Sequence, residues 1–348
     1  MTATLTTAIH RSATLDERIE DDAGQFRILT GDRPTGPLHL GHYFCTLENR
    51  VRLQDAGAEL FVLIADYQAL TDRDTAGHLD EVATGMVLDY LAIGVAPRRS
   101  VIFAHSAVPA LNQLVLPFLS LVSVPELRRN PTVKDEIAHS RQSSVSGLMF
   151  TYPAHQAADI LFCKSNLVPV GADQLPHVEL TRLIARRFNE RYGPVFPVPD
   201  ALLSAAPVLL GTDGQKMSKS RGNAIALRAT ADETARLIKT AKTDSVRRVS
   251  YDPATRPEVS SLVLLLALCS GRDPVAVADE IGDGGAARLK AELTGAVNER
   301  FAPVRARRAE LSRDLGYVRQ VLREGCERAR AIGNDTLDEV RAAMGMRY

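Results

Sequence analysis

The sequence predicts an α/β fold: a parallel, doubly wound sheet followed by an all-helical second domain. Three observations carry that expectation. Apolar runs at 26–29, 60–65 and 101–104 alternate with amphipathic patterns at 43–54 and 74–93, which is βαβαβ. The run at 60–65 is apolar throughout, as a strand buried on both faces should be. Beyond Asn223 the apolar residues keep helical spacing and no buried strand follows.

Residues 1–24 carry mixed charge, including Asp16-Glu17 and Glu20-Asp21-Asp22, and lack the apolar core of a signal peptide, so they read as a polar, mobile extension. The first strand runs into Gly31-Asp32-Arg33-Pro34-Thr35-Gly36-Pro37-Leu38-His39-Leu40-Gly41-His42. Such a strand-to-helix turn presents backbone donors to phosphate. His39 and His42, three apart on the first helical turn, share a face, and Gly41 between them lets a flat ring approach. The pattern suits an ATP site without a P-loop. The next strand ends at Asp66 and the third at His105; Gly31, Asp66 and His105 therefore fall where doubly wound sheets hold ligands, though His105 takes no assigned role.

The segment around 106–150 reads as a helical insertion carrying a dimer surface, apolar at 109–124, then charged and broken at Asn130-Pro131. A helix starts at Tyr152 and sets Tyr152, Gln156 and Asp159 on one face. On pattern alone, Asp159 pairs with a neighbour or meets solvent. A strand at 167–171 meets Asp173-Gln174 and a helix to about Arg191, repeating the strand–glycine–helix logic. Lys216-Met217-Ser218-Lys219-Ser220 follows the turn-rich Gly211-Thr212-Asp213-Gly214-Gln215 and places two ammonium groups three residues apart. Helices are expected at about 231–241, 259–269, 274–281, 286–301, 303–314 and 317–332, with a last one from Leu337.

Bulk properties exclude several classes. The 348 residues are 45% hydrophobic, enough for a sizeable core and two domains. Lys+Arg and Asp+Glu number 42 each, so contact with nucleic acid has to be a local patch. Cys45, Cys163, Cys269 and Cys326 are scattered without metal-ligand or disulfide spacing, which fits a reducing cytoplasm. The apolar run at 262–269 is too short to span a bilayer, and no membrane partner is expected.

Together, the first turn and the Lys216 segment resemble the signature pair of class I aminoacyl-tRNA synthetases, in which HIGH-type and KMSKS-type motifs jointly hold ATP. The second stretch matches five residues for five. Tyr152-Pro153, then Gln156-Ala157-Ala158-Asp159-Ile160-Leu161, resembles the specificity helix of the tryptophanyl-tRNA synthetases, whose aspartate accepts the indole N–H. Val168-Pro169-Val170-Gly171, Asp173-Gln174 and His177-Val178-Glu179-Leu180-Thr181-Arg182 resemble the stretch that follows it.

The resemblance implies a Rossmann-type catalytic domain at 25–224 and a helical, anticodon-binding domain at 225–348. A homodimer is implied, activating L-tryptophan with ATP, brought with Mg²⁺ and without a protein metal site, and passing it to tRNA(Trp). His39 and His42 would hold phosphate and ring, while Lys216 and Lys219 follow charge onto pyrophosphate. Arg33, Pro34, Thr35 and Gly41 would line ATP on one side; Gly171, Ala172 and Asp173 would meet its ribose. Val208 would pack on adenine, and Met217, Ser218 and Ser220 complete the site. The tryptophan pocket would comprise Asp159, Tyr152, Gln156, Gln68 and Gln174, walled by Val168 and Val170. Arg300, Arg305, Arg307, Arg308 and Arg313 would meet tRNA phosphates or form a solvated face balanced by Glu299 and Glu310.

Departures from the family pattern point to a divergent or auxiliary form. Many bacterial tryptophanyl enzymes have Thr and Asn where His39 and His42 stand; Gln68 replaces a pocket histidine, and Gln156 a common methionine. A tyrosine-specific sister and a non-catalytic paralogue are the rivals. Ala157-Ala158 before Asp159 argues against the first, and the intact histidine and lysine pairs against the second.

Overall fold

The apolar runs become strands. The computed structural model describes residues 3–71, 78–131, 133–134, 146–203 and 209–348. In it β1 (Arg27–Asp32), β2 (Glu59–Ile64), β3 (Ser100–Ala104), β4 (Leu167–Val170) and β5 (Asp200–Leu203) form one parallel sheet in the order β3-β2-β1-β4-β5. β1 is central, with Arg27 opposite Glu59 on one side and Ile28 opposite Leu167 on the other. The winding reverses between β1 and β4, so the crevice beyond their carboxyl ends is where this topology places a ligand. β5 is the strand that pattern reading missed. Its four residues follow Pro197 and Pro199, which look like loop punctuation.

Alternation along the strands feeds two apolar layers. Ile28, Leu60, Val62, Ile64 and Ile102 face one way, packing with Leu47 and Leu53 and with Met86, Val87 and Leu91 of α4 (Leu79–Ile93). Leu29, Phe61, Leu63, Val101 and Phe103 face the other, towards α5 (Pro109–Leu119), α7 (Gly147–Leu161) and α8 (Leu175–Tyr192). Between β1 and β2 the chain forms α2 (Leu40–His42), a π turn (Tyr43–Leu47) and α3 (Glu48–Ala56); α6 (Val124–Arg129) precedes α7.

Residues 3–22 are a helix rather than a mobile extension. This α1 (Ala3–Asp22) lies on β5, with Leu15 and Ile19 buried, Ser12 Oγ accepting the Leu203 N–H at 2.9 Å, and Arg11 paired with Asp200. The surrounding charges hid an i, i+4 apolar pair, and covering β5 protects a strand edge.

Five more helices follow the sheet: α9 (Ala231–Thr240), α10 (Pro257–Ser270), α11 (Pro274–Ile281), α12 (Gly285–Leu311) and α13 (Leu315–Ala343). Two expected breaks are absent. Pro303 lies inside α12, where its cost of about 3 kcal/mol is offset by the buried row Leu289, Leu293, Val297 and Phe301. Gly333 lies inside α13 because it is a contact point: a Cβ there would come 3.2 Å from Val108 and 3.3 Å from Ala110. Among the described residues, no single helix is long and apolar enough to cross a membrane.

The arginine tract is a weld. Arg300 pairs with Glu48 at 2.6 Å, Arg305 donates to Asn298 and Thr234, Arg307 donates to the Leu91 carbonyl, and Arg308 pairs with Asp89 at 2.6 Å. All four make contacts within the chain, although Arg300 and Arg307 are also exposed to solvent. They bind α12 to α4 and its neighbours, and Arg313, also exposed, follows them.

α13 returns to the sheet and closes the β3 edge. Val318 and Val321 join one apolar layer, while Ala329, Leu337 and Val340 join the other. At the crossing stands Gly325, where a Cβ would overlap the Ile102 carbonyl oxygen. An ordinary helix-interior glycine gains about 1 kcal/mol on replacement by alanine; here the overlap reverses the sign. Gly325→Ala should lower stability by about 1–3 kcal/mol in urea denaturation. A gain would mean that α13 does not cross β3 this closely.

Candidate active site

The first turn leaves β1 at Asp32 and doubles back through Gly36, whose φ of 145° favours glycine. Arg33, Pro34 and Thr35 form the bend, with the Thr35 N–H bonded to the Arg33 carbonyl at 2.8 Å. His39 is the N-cap of α2 in extended conformation, not a member of its first turn. Its Nδ1 accepts the His42 N–H at 3.4 Å, and His42 Nδ1 accepts the His39 N–H at 3.2 Å. The two rings lie 3.7 Å apart. With both Nδ1 atoms accepting, each neutral ring carries its proton on Nε2 and is a donor there.

Neither ring is cationic near neutral pH. Burial, with the charges of His42 and Lys219 adding, lowers His39 to about 3. Burial, with Lys219 adding against the opposing pull of Asp32, lowers His42 to about 4. Gly41 is required for a reason the spelling concealed. A Cβ there would meet the His39 ring at 3.0 Å and Met217 Sδ at 3.4 Å.

Met217 belongs to the lysine loop, so the two motifs meet. Lys219 Nζ donates to the Arg33 carbonyl at 3.2 Å, 186 residues away along the chain. The Gly41 N–H points to Met217 Sδ at 3.3 Å, and backbone bonds Leu40 N–H to Ile225 O and Leu227 N–H to Leu38 O close the seam. Burial first, then the charge of Arg33, lowers the Lys219 pKa, with Asp32 opposing. Lys216 is exposed, yet near enough for its charge to act on His42.

Asn223, which sequence reading passed over, holds the loop. Its Nδ2 donates to Asp213 at 2.7 Å and to the Lys216 carbonyl at 3.2 Å, and its Oδ1 accepts the Ser218 N–H at 2.9 Å. Across the crevice, Gly171 opens the turn Ala172–Gln174, where a Cβ on Gly171 would lie 2.8 Å from Asp173 Oδ1. The Cys45 thiol, raised by burial, feels the charges of both Lys216 and Asp173. Val208 and the side chain of Ser220 lie outside the described residues.

Below the turn lies a second group without a sequence signal. Arg50 is 1% exposed and pairs with Asp32 at 2.6 Å, while its Nε donates to Thr30 at 2.9 Å. The Tyr90 hydroxyl donates to Asp32 at 2.7 Å. Burial would raise Asp32, but the charge and hydrogen bond of Arg50 outweigh it and hold the carboxyl well below its usual range.

The amino-acid side centres on Asp159, 1% exposed on α7. Its Oδ1 is hydrogen-bonded to His105 Nε2, and Gln68 Nε2 lies 3.5 Å from its Oδ2. So Gln68 and Asp159, from different layers, share a site, and His105 joins them. The Tyr152 hydroxyl pairs with His177 Nε2 at 3.0 Å, and its ring packs with Val133 and Met149. Gln156 is half-buried; Gln174 Nε2 donates to Asp173 at 3.3 Å. Val168 and Val170 are buried in the layer that contains Ala157 and Ala158.

His155, absent from the sequence assignment, stacks on His105 at 4.4 Å and 17°. Ligand atoms of His105, His155 and Asp159 lie within 4.8 Å of one another. Near-parallel rings cannot both aim in-plane lone pairs at one ion between them, so the trio is organised for hydrogen bonding.

The turn makes stability pH-dependent with a definite sign. His39 and His42 fold neutral, yet bind protons below about 6.5 when unfolded, so their contribution is complete above that pH and is lost as pH falls through 4. His42→Asn should therefore reduce the slope of stability against pH, between about 4.5 and 6, by about 1 kcal/mol per unit. Denaturation across that window measures it; an unchanged slope would show that His42 is protonated in the fold.

The model of the family described as tRNA synthetases class I (W and Y) matches residues 21–302. The tryptophan–tRNA ligase of Treponema pallidum is 43% identical over 327 residues, covering 92% of this chain and 97% of its own. That of Streptococcus pyogenes serotype M1 is 41% identical over 336 residues, covering 92% and 98%. Tryptophanyl-tRNA synthetase from Campylobacter jejuni, solved with ADP and tryptophan, superposes with a TM-score of 0.78 at 29% identity, over 92% of this chain and 99% of that one. With the paired histidines, the lysine loop and this likeness along nearly the whole length, the chain belongs to the tryptophan and tyrosine branch of the class I tRNA synthetases.

Proposed function

We propose that this chain is a tryptophan–tRNA ligase, and the observation that carries the reading is the meeting of the His39–His42 turn with the Lys216–Lys219 loop. Tryptophan's carboxylate attacks the α-phosphorus of ATP, which enters as its magnesium complex, and pyrophosphate leaves. The terminal ribose hydroxyl of tRNA(Trp) then attacks the adenylate carbonyl, forming the ester as the anhydride bond breaks and AMP leaves. No covalent enzyme intermediate is needed, so the protein positions its substrates and stabilises charge.

The roles follow from the chemistry of each group. His39 and His42 act as neutral Nε2–H donors to phosphate oxygens, and Lys216 and Lys219 supply the positive charge that follows the leaving pyrophosphate. Arg33, Pro34, Thr35 and Gly41 line the nucleotide, with Gly171, Ala172 and Asp173 at its ribose. Asp159 accepts the indole N–H beside Gln68. Tyr152, Gln156, Gln174, Val168 and Val170 complete the amino-acid side. The helical region from 225 receives tRNA, with Arg300, Arg307 and Arg313 the exposed members of its basic tract. Leu116 and Val124, 74% and 55% exposed, support a homodimer joined through the α5–α6 face.

The test is amino-acid-dependent ATP–pyrophosphate exchange. Tryptophan should support it over tyrosine or phenylalanine by about 10⁴-fold or more, because a buried acceptor rejects a ligand that leaves it unpaired. Asp159→Ala should abolish tryptophan activation while ATP binding persists. Equal exchange with tyrosine would overturn the reading. Lys219→Ala should slow adenylation by about 10²–10³ in single-turnover kinetics, with a smaller effect on ATP affinity; the opposite split would confine Lys219 to ground-state binding.

A further inference from the structure

His105 ends the β3 edge of the crevice, fully buried, and neither ATP motif uses it. Its Nε2 is hydrogen-bonded to Oδ1 of Asp159, and its Nδ1 has no hydrogen-bond partner among the described residues. The ring cannot turn freely. It stacks on His155, whose Nε2 is held by Asn112 Oδ1 at 3.0 Å, and Tyr67 flanks both rings at 5.8 and 6.2 Å.

This arrangement makes the two oxygens of Asp159 unequal. Oδ1 is occupied by His105, whereas Oδ2 has the long 3.5 Å approach of Gln68 Nε2. One oxygen therefore remains as a directed acceptor, with an amide beside it that can give way. A carboxylate in so buried a place also needs a partner for its charge, since an apolar ring laid over it removes the last water.

Resting on the tryptophan–tRNA ligase reading, we propose that His105 is the positioning residue for indole recognition: it pins Asp159 so that Oδ2 meets the ring N–H, and its proton neutralises the pair when the ring covers it. The groups around it are Asp159 and His155 on α7, Asp66 and Tyr67 after β2, and Cys326 and Arg330 on α13, which bond the backbone at Ala104 and Ala107. Burial opposes the imidazolium, but the charge and hydrogen bond of Asp159, with Asp66 adding, raise His105 above the ordinary histidine value. Once His105 loses its proton the buried pair carries net negative charge, and covering it with indole becomes less favourable. KM for tryptophan therefore rises as pH climbs through the His105 pKa.

The experiment is pyrophosphate exchange by the native protein, His105→Leu, His105→Gln, Asp159→Asn and Asp159→Ala, from pH 6 to 9. The substrates are tryptophan and the alanine derivative in which sulfur replaces the ring N–H. His105→Leu should raise KM for tryptophan about 10- to 100-fold, lower the preference for tryptophan over the sulfur analogue by a similar factor, and leave KM for ATP within about twofold. His105→Gln keeps a donor without a proton to lose, so it should restore most of the preference while abolishing the pH-dependent rise. If Asp159→Asn loses the preference while His105→Leu keeps it, or if His105→Gln retains the native pH profile, the proposal is overturned alone. If tryptophan-dependent exchange survives in Asp159→Ala, which has no acceptor, the indole site is misassigned and the proposal falls with that reading.

Discussion

A carboxylate buried at the carboxyl end of the central strand governs what surrounds it. Asp32 has to remain charged next to a strand with apolar residues on both sides, and the guanidinium of Arg50 and the hydroxyl of Tyr90 make that tolerable. Such a pair does not have to add net stability to matter; losing one partner leaves an uncompensated charge, which costs about 3–5 kcal/mol. Its effect is to tie β1, α3 and α4 together directly beneath the nucleotide turn. The same negative charge reaches His42 and Lys219 and opposes the burial that lowers both. The turn thus carries an internal counter-charge to the cations around it.

The division of labour above that base follows from burial. His39 and His42 satisfy each other's backbone donors, at the price of losing their own charge, and so contribute oriented Nε2–H groups. Lysine contributes the mobile charge. Lys219 is anchored to the Arg33 carbonyl, while Lys216 stands exposed on a loop held from behind by Asn223. Fixed dipoles in the interior with movable charge at the rim suit a reaction in which negative charge migrates onto a leaving group.

The helical part is not an appendage. Its apolar residues continue the layer that begins with Ile28 and Leu60, four arginines of α12 weld it to α4 and neighbouring elements, and α13 closes the β3 edge through Gly325. Arginines in a basic run are therefore poor witnesses to nucleic-acid contact until their acceptors are known. Each of these four finds a carboxylate, carbonyl, amide or hydroxyl within the chain.

The sequence by itself determined the sheet class and four of the five strands, and it singled out the histidine and lysine motifs and Asp159 as candidates, because each rests on local information: apolar runs, turn residues and short spellings. What it could not convey was which distant residues complete those sites. Arg50, Asn223 and His155 carry no local signal, and His105 shows only as a strand end without a role, since their roles exist only once separate strands and helices converge on one edge of the sheet. Pro303 and Gly333 looked like helix ends because propensity is local, whereas the burial and close packing that carry α12 and α13 through them are tertiary. Tyr152, on the same helical face as Asp159, was turned towards His177 by α8, a neighbour that the spacing of α7 cannot reveal. Tertiary structure decided the protonation states as well. Burial made His39 and His42 neutral donors, and the carboxylate of Asp159 favours the proton on His105.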